Sequence, residues 1–331
     1  MLRRSMNARR CIRIAGGVAA ACGFALLYVY INYYLMMTKK YNVHDIYINI
    51  PTSSNLIAAT GTTGPGYSRD PTPEEAEAAT RRGQHALRTY VICRSCHGAD
   101  LGGNSEGSNV LTGELWAPNI TQGRGSVVLE YTAQDWDRVI RHGLHPDGTP
   151  SQMPSHDFAR LSDQELSDIV MGLRAEPPVD REGRPSRLGP LAVFMRATGI
   201  WPLSADLIPD HRAPHAAEPA PAGDVVALGE RMATSCRGCH GSDLAGGRTL
   251  YFPPDWPVAA NLTPHAEGLA GWTYTMFKTV MVDGVAPSGR VRYPMSAIPA
   301  YGREMTEDEL SALWTYLQQL PPTPDPWLAT P

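Results

Sequence analysis

Two stretches of the chain set a pair of cysteines three residues apart with a histidine directly behind them: Cys93-Arg94-Ser95-Cys96-His97 and Cys236-Arg237-Gly238-Cys239-His240. Thiols at that spacing can add to the two vinyl groups of a haem, while the short turn between them delivers the next imidazole to the iron. Composition alone predicts roughly 0.003 such matches in 331 residues, so two of them need a common cause. Other chemistries compete for the same residues. A redox dithiol of thioredoxin type needs a βαβ surrounding, which the sequence does not offer. A zinc ion shared by both pairs fits poorly with the 143 residues between them. The expectation is therefore two covalently bound haem c groups, held by Cys93, Cys96 and His97 and by Cys236, Cys239 and His240.

The offset of 143 residues marks a duplication. His97-Gly98-Ala99-Asp100-Leu101 corresponds to His240-Gly241-Ser242-Asp243-Leu244, and Asn119-Ile120-Thr121 to Asn261-Leu262-Thr263. Further on, the segment from Tyr131 to Gly143 matches that from Trp272 to Gly284. A six-coordinate iron needs a ligand opposite the histidine. Met153, Met171, His142, His145 and His156 compete in the first copy, and Met276, Met281, Met295, Met305 and His265 in the second. Only Met153 and Met295 fall at equivalent places, 56 and 55 residues beyond their motif histidines and each beside a proline. The thioether is a soft neutral ligand that favours ferrous iron, so His/Met ligation raises the reduction potential and leaves no site for a substrate. Electron transfer, with no bond chemistry, is the consequence.

Helices must position these groups. Glu74 to Ile92 and, more briefly, Val225 to Ser235 read as helices leading into the motifs. Ser162-Asp163-Gln164-Glu165 and Thr306-Glu307-Asp308-Glu309 have the form of a capping box, and apolar residues follow each at helical spacing. Both of these helices run into a proline pair, Pro177-Pro178 and Pro321-Pro322, which cannot continue them. The repeat units are residues 74–178 and 224–322. Residues 179–223 form a linker in which Leu188 to Leu203 is an apolar island expected to pack on one or both lobes, and His211 to Ala222 an extended tether. A tail of residues 323–331 closes the chain.

Residues 14–37 carry no formal charge, and 24 residues of helix reach roughly 36 Å, enough to cross a bilayer. Five arginines precede them, so the positive-inside rule keeps the basic tail, 1–13, in the cytoplasm and exports everything beyond a connector, 38–73. The stretch is too long for a cleaved signal peptide and lacks its small-x-small end. The chain has 29 Lys and Arg against 33 Asp and Glu, and all five charges in the first 37 residues are positive, leaving a net −9 for the rest. A nucleic-acid binder built on a basic patch is excluded by that balance. Proline and glycine, 29 and 31 residues, favour short helices with long connections over a tidy sheet.

These residues resemble the class I cytochrome c family, in a diheme form tied to the membrane by an N-terminal helix. The resemblance covers both lobes and implies an all-α fold of two tandem lobes. In each, the first and last helices cross at a glycine, Gly83 and Gly229 by position. It also implies that Asn119, Thr121, Asn261 and Thr263 lie near the haem propionates. Copy one has Gly172 where copy two has Tyr316, which predicts looser helix packing in the first lobe.

The expected role is a bacterial inner-membrane, single-pass electron carrier with periplasmic haem domains, acting in a respiratory or photosynthetic chain and not itself an enzyme. Its partners would be redox proteins: a quinol-oxidising complex, a dehydrogenase, an oxidase or a reaction centre. The competing reading is a diheme peroxidase or the cytochrome subunit of a periplasmic dehydrogenase. A thiosulfate-dehydrogenase-like enzyme would need a cysteine ligand to iron, and every cysteine beyond the N-terminal segment already sits in a motif.

Overall fold

The computed structural model describes residues 2–44, 72–221, 223–247 and 256–326. Most of the connector, residues 45–71, lies outside them. Helix α1 spans Leu2–Thr38, so the basic tail is continuous with the apolar segment rather than separate from it. Arg13–Thr38 is long and apolar enough to cross a membrane, with a mean hydropathy of 2.0 and none of it buried inside the protein.

The first lobe begins with α2 (Pro73–Thr89), started by a capping box between Thr72 and Glu75 with proline at the first turn. The expected helix through Ile92 stops earlier. The N–H groups of Tyr90 and Val91 both return to the Ala86 carbonyl, and the β-branched run Val91-Ile92 turns the chain into α3 (Cys93–His97). Strands β1 (Asn104–Asn109) and β2 (Gly113–Ala117) follow, then α4 (Ala133–Arg141) and α5 (Asp163–Arg174). After the linker elements β3 (Arg187–Leu188), α6 (Pro190–Ala197) and α7 (Ser204–Leu207), the second lobe repeats the plan. It runs through α8 (Val225–Met232), a 3-10 turn at Thr234–Cys236, α9 (Arg237–His240) and α10 (Tyr274–Asp283). The short strands β4 (Val285–Ala286) and β5 (Gly289–Arg290), then α11 (Pro299–Gly302) and α12 (Glu307–Gln319), complete it. Both predicted capping boxes form, at Ser162 and at Thr306, and α5 and α12 end just short of their proline pairs.

The fold is mostly helical, as expected, with one addition. Strands β1, β2 and β3 form a three-stranded antiparallel sheet that sews the start of the linker onto lobe 1. The linker is also not a free tether where it was expected to be one. Asp163 and Gln164 donate their N–H groups to the carbonyls of Ala216 and Ala217, and His211 is packed against lobe 1. The apolar island divides: Leu203 and Ala205 are buried beside the turn at Ser155–Asp157, whereas α6 packs against α1.

In lobe 1, α2 crosses α5 at Gly83. A Cβ there would stand 1.7 Å from the Asp168 carbonyl oxygen, and one on Gly172 would stand 2.5 Å from the Gly83 carbonyl carbon. In lobe 2 the added Cβ on Gly229 would lie 2.1 Å from the Ala312 carbonyl oxygen and 2.5 Å from the Tyr316 Cβ. Both glycines sit where the sequence placed them. The looser packing expected for lobe 1 is corrected, because Gly172 lets the two backbones meet directly where a side chain would hold them apart. The core is continuous through both lobes, from Leu87, Leu101, Leu166 and Leu173 to Met232, Leu244, Leu313 and Leu317. Each such leucine contributes about 1.5–3 kcal/mol by leaving water.

Candidate functional site

Each motif forms a single short turn of helix that points its histidine inward. His97 donates its Nδ1–H to the Pro118 carbonyl at 2.8 Å, and His240 donates to the Ala260 carbonyl at 2.7 Å. A carbonyl can only accept, so the tautomer is set and Nε2 is left with a free lone pair in both lobes. Burial pushes both imidazoles below the usual histidine range, against the carbonyl bond, so both are neutral and ready to ligate.

The thiols behave accordingly. Burial raises Cys93 to about 11 and Cys236 to about 12, and it raises Cys239 as well. Thiols so far from ionising are poor redox dithiols, and the motif cysteines are unpaired. Nor do they gather into a zinc site, because among the described residues the group of metal-ligating side chains that does come together is made of histidines elsewhere.

The turn after each histidine is the same in both copies. Gly103 and Gly246 donate to the carbonyls of His97 and His240. Leu101 and Leu244 take φ of 59° and 62°, a left-handed backbone unusual for leucine, while both side chains are fully buried. Burial holds that strain in place. Arg94 and Arg237 each reach forward to a carbonyl, of Ala99 and Ser242, and then tie the motif to the last helix by different means. Arg94 pairs with Glu176 at 2.8 Å, and Arg237 donates to the Tyr316 hydroxyl at 2.5 Å.

Asn119, Thr121, Asn261 and Thr263 are buried in two matching clasps. Asn119 Oδ1 accepts from the Thr121 N–H and hydroxyl while its Nδ2 donates to the Val179 carbonyl at 2.6 Å. Asn261 accepts from Thr263 in the same way and donates to the Thr323 carbonyl at 2.7 Å. Each clasp fastens the chain just beyond a proline pair, so the first residues of the linker belong physically to lobe 1. Met153 precedes the turn at Ser155–Asp157 and Met295 opens the turn at Met295–Ala297; both are partly buried against the core.

The contacts between lobes escaped the sequence reading. His85 Nε2 lies 2.7 Å from Glu309, and Arg231 lies 3.6 Å from Glu165. His85 and Arg231 each stand two residues beyond a crossing glycine, and the glutamates are the capping residues of α12 and α5. The arrangement is reciprocal, as an approximate two-fold axis requires. Ser235, next to Cys236, donates to the Tyr90 carbonyl at 2.5 Å, and Ser95, within the first motif, lies 3.3 Å from the Tyr301 hydroxyl beyond Met295. Asp157, beyond Met153, lies against Gly238 of the second motif. Burial raises Asp157 to about 7, although the Arg237 charge opposes it. Aligning the two copies pairs His85 with Arg231, and that basic pair was the available signal.

Two lobes of this geometry, each with a preset imidazole behind two thiols, define a c-type haem protein. Residues 78–171 match the family described as cytochrome c oxidase, cbb3-type, subunit III, and residues 226–321 match cytochrome c. The chain is 27% identical over 283 residues to an alcohol dehydrogenase (quinone) cytochrome c subunit of Gluconacetobacter polyoxogenes, covering 76% of this chain and 58% of that one. It is 24% identical over 293 residues to a fructose dehydrogenase cytochrome subunit of Gluconobacter japonicus, covering 81% and 58%. A diheme cytochrome c-type protein of Cereibacter sphaeroides is 32% identical over 107 residues, covering 29% of this chain and 36% of its own. The chain thus spans under two thirds of the length of the curated relatives it matches most fully. Both lobes are cytochrome c domains, and the chain belongs to the diheme cytochromes c, with one haem c covalently bound in each lobe.

Proposed function

We propose that this protein is a membrane-anchored electron-transfer subunit that accepts single electrons from a periplasmic dehydrogenase and passes them to the respiratory chain. The haems supply reversible one-electron exchange. The residues of the chain supply attachment, ligation and orientation: Cys93, Cys96, Cys236 and Cys239 bind covalently, His97 and His240 ligate through Nε2, and Met153 and Met295 ligate from the opposite side. Asn119, Thr121, Asn261 and Thr263 act on the haems indirectly, through the clasps that hold each lobe closed. Helix α1 anchors the chain with its arginine-rich end in the cytoplasm and both lobes outside the inner membrane.

The observation that carries this reading is the pair of buried neutral imidazoles, each with Nδ1 committed to a carbonyl. The lobe contact at Ser235 and Tyr90 brings the approaches to the two motifs together and supports electron exchange within the chain. The names of the relatives favour a dehydrogenase as donor.

The ligands are tested by replacing the methionines. Met153→Ala and Met295→Ala should each leave haem attached while lowering the potential of that lobe's centre, within the roughly 0.8 V that axial ligation spans. Redox titration checks this, and two unmoved potentials would remove the methionine from the coordination. The oxidised spectrum separates the carrier from a peroxidase: two low-spin centres with a weak near-infrared methionine band are expected, and a high-spin centre would favour the enzyme.

A further inference from the structure

Away from both motifs, four histidines meet where the stem leaving α1, the end of α4 and the interlobe linker converge. His44 belongs to the stem, His142 caps α4, and His211 and His215 lie on the linker. Ligand nitrogens of His44, His142 and His215 all lie within 4.8 Å of one another.

Their hydrogen bonds set which nitrogens are bare. The Ala205 carbonyl can only accept, so His211 donates its Nε2–H there at 2.9 Å. Its Nδ1 must then accept the Nδ1–H of His142, also at 2.9 Å, which leaves the His142 Nε2 lone pair free. His44 likewise commits its Nδ1–H to the His211 carbonyl at 3.3 Å, freeing Nε2. Burial, followed by the Arg141 charge, lowers His215 to about 3, so this ring is neutral. The Nε2 atoms of His142 and His215 are 3.4 Å apart. Nitrogens about 2.0–2.1 Å from a tetrahedral zinc ion stand about 3.3 Å from one another. Asp137 adds a carboxylate: Oδ2 is 3.3 Å from His142 Nε2, and Oδ1 is held by Arg141 at 2.6 Å.

We infer that His44, His142 and His215 form a binding site for a divalent transition-metal ion of the class imidazole favours, zinc first, with Asp137 beside it and His211 fixing the His142 tautomer from the outer shell. Such an ion joins three segments far apart in sequence. Its binding stabilises the docking of lobe 1 on the membrane stem, which already rests on Tyr41 N–H donating to the Gly148 carbonyl and on Lys39 pairing with Asp206.

The test uses the full chain, in detergent and with both haems attached, stripped by a chelator and dialysed against buffered Zn²⁺. Zinc and iron are then counted by elemental mass spectrometry. One zinc per two irons is expected. His44→Ala and His215→Ala should lose the zinc with iron unchanged, and neither variant disturbs the buried His142. His211→Ala should weaken zinc binding about 10- to 100-fold, as loss of an outer-shell partner does. His265→Ala, in lobe 2, should retain it. Zinc absent from the unaltered chain, or retained in full by His44→Ala or His215→Ala, overturns the site.

Discussion

Where lobe 1 crosses its terminal helices backbone on backbone at Gly83 and Gly172, lobe 2 crosses Gly229 over Ala312 and sets Tyr316 beside the junction. The same exchange runs through the tie between motif and last helix, which is an ion pair from Arg94 to Glu176 in one lobe and a bond from Arg237 to the Tyr316 hydroxyl in the other. What the two copies share is the set of groups with one geometric solution: the bond from imidazole to carbonyl, the left-handed leucine and the Asn-Thr clasp. Residues that only fill space or close a contact are exchanged freely between copies. The lesson is that haem geometry constrains the motif and its first turn, whereas helix packing around it tolerates two answers.

That comparison can be broken at its tightest point. Gly83→Ala forces a methyl onto the Asp168 carbonyl, so lobe 1 should lose about 3 kcal/mol or more, while the same change at Gly229 can be partly relieved by movement of Tyr316. Denaturant unfolding monitored through each haem checks this, and equal losses in the two lobes would erase the proposed difference.

Next in size is Asp157, which lies between the lobes with Arg237 and His156 nearby. Its folded-state value of about 7 exceeds that of the unfolded chain, so the native state binds the extra proton. Its stabilising contribution is complete below about pH 4 and is lost as pH rises through about 7. Between pH 5 and 8 the loss should be about 3 kcal/mol, and Asp157→Asn should abolish it. A pH series of unfolding midpoints that stays unchanged in the variant would show that the group does not titrate there. The second motif should feel this change more than the first, because Asp157 faces Gly238.

A smaller effect separates the two motif ties. Tyr316→Phe should cost lobe 2 about 1–2 kcal/mol with little salt dependence, and Glu176→Gln should cost lobe 1 about 1 kcal/mol that fades in high salt. Smallest is the link from His85 to Glu309. The bond to Glu309, opposed by burial, raises His85, so its contribution is full below about pH 6.5 and disappears above the raised value. His85→Ala should therefore cost under about 1 kcal/mol at pH 6 and nothing at pH 9, measured by the same unfolding titration.

Much of the site was legible because it depends on local spacing. Two cysteines with a histidine behind them, a capping box, a proline pair and a crossing glycine are each defined within one or two helical turns. Comparing the copies then located Met153 and Met295 as equivalents. The three-stranded sheet was not legible, since β3 is two residues long and its partner lies 70 residues away between Ser186 and Trp116. Nor was the docking of α6 on α1, because an apolar run declares that it will be buried and leaves its partner undefined.

The amino-acid sequence by itself determined that this chain carries two haems on two helical lobes behind an apolar anchor, because thiol, imidazole and helix signals act over a few residues. Tertiary structure alone decided that His85 and Arg231 reach across to the opposite capping glutamates. It also decided that Asp157 is buried against the second motif, and that four histidines from stem, lobe and linker share one corner. Those relations depend on loop closures and on the relative placement of rigid helices, which are set by the whole packed core and by no single stretch of chain.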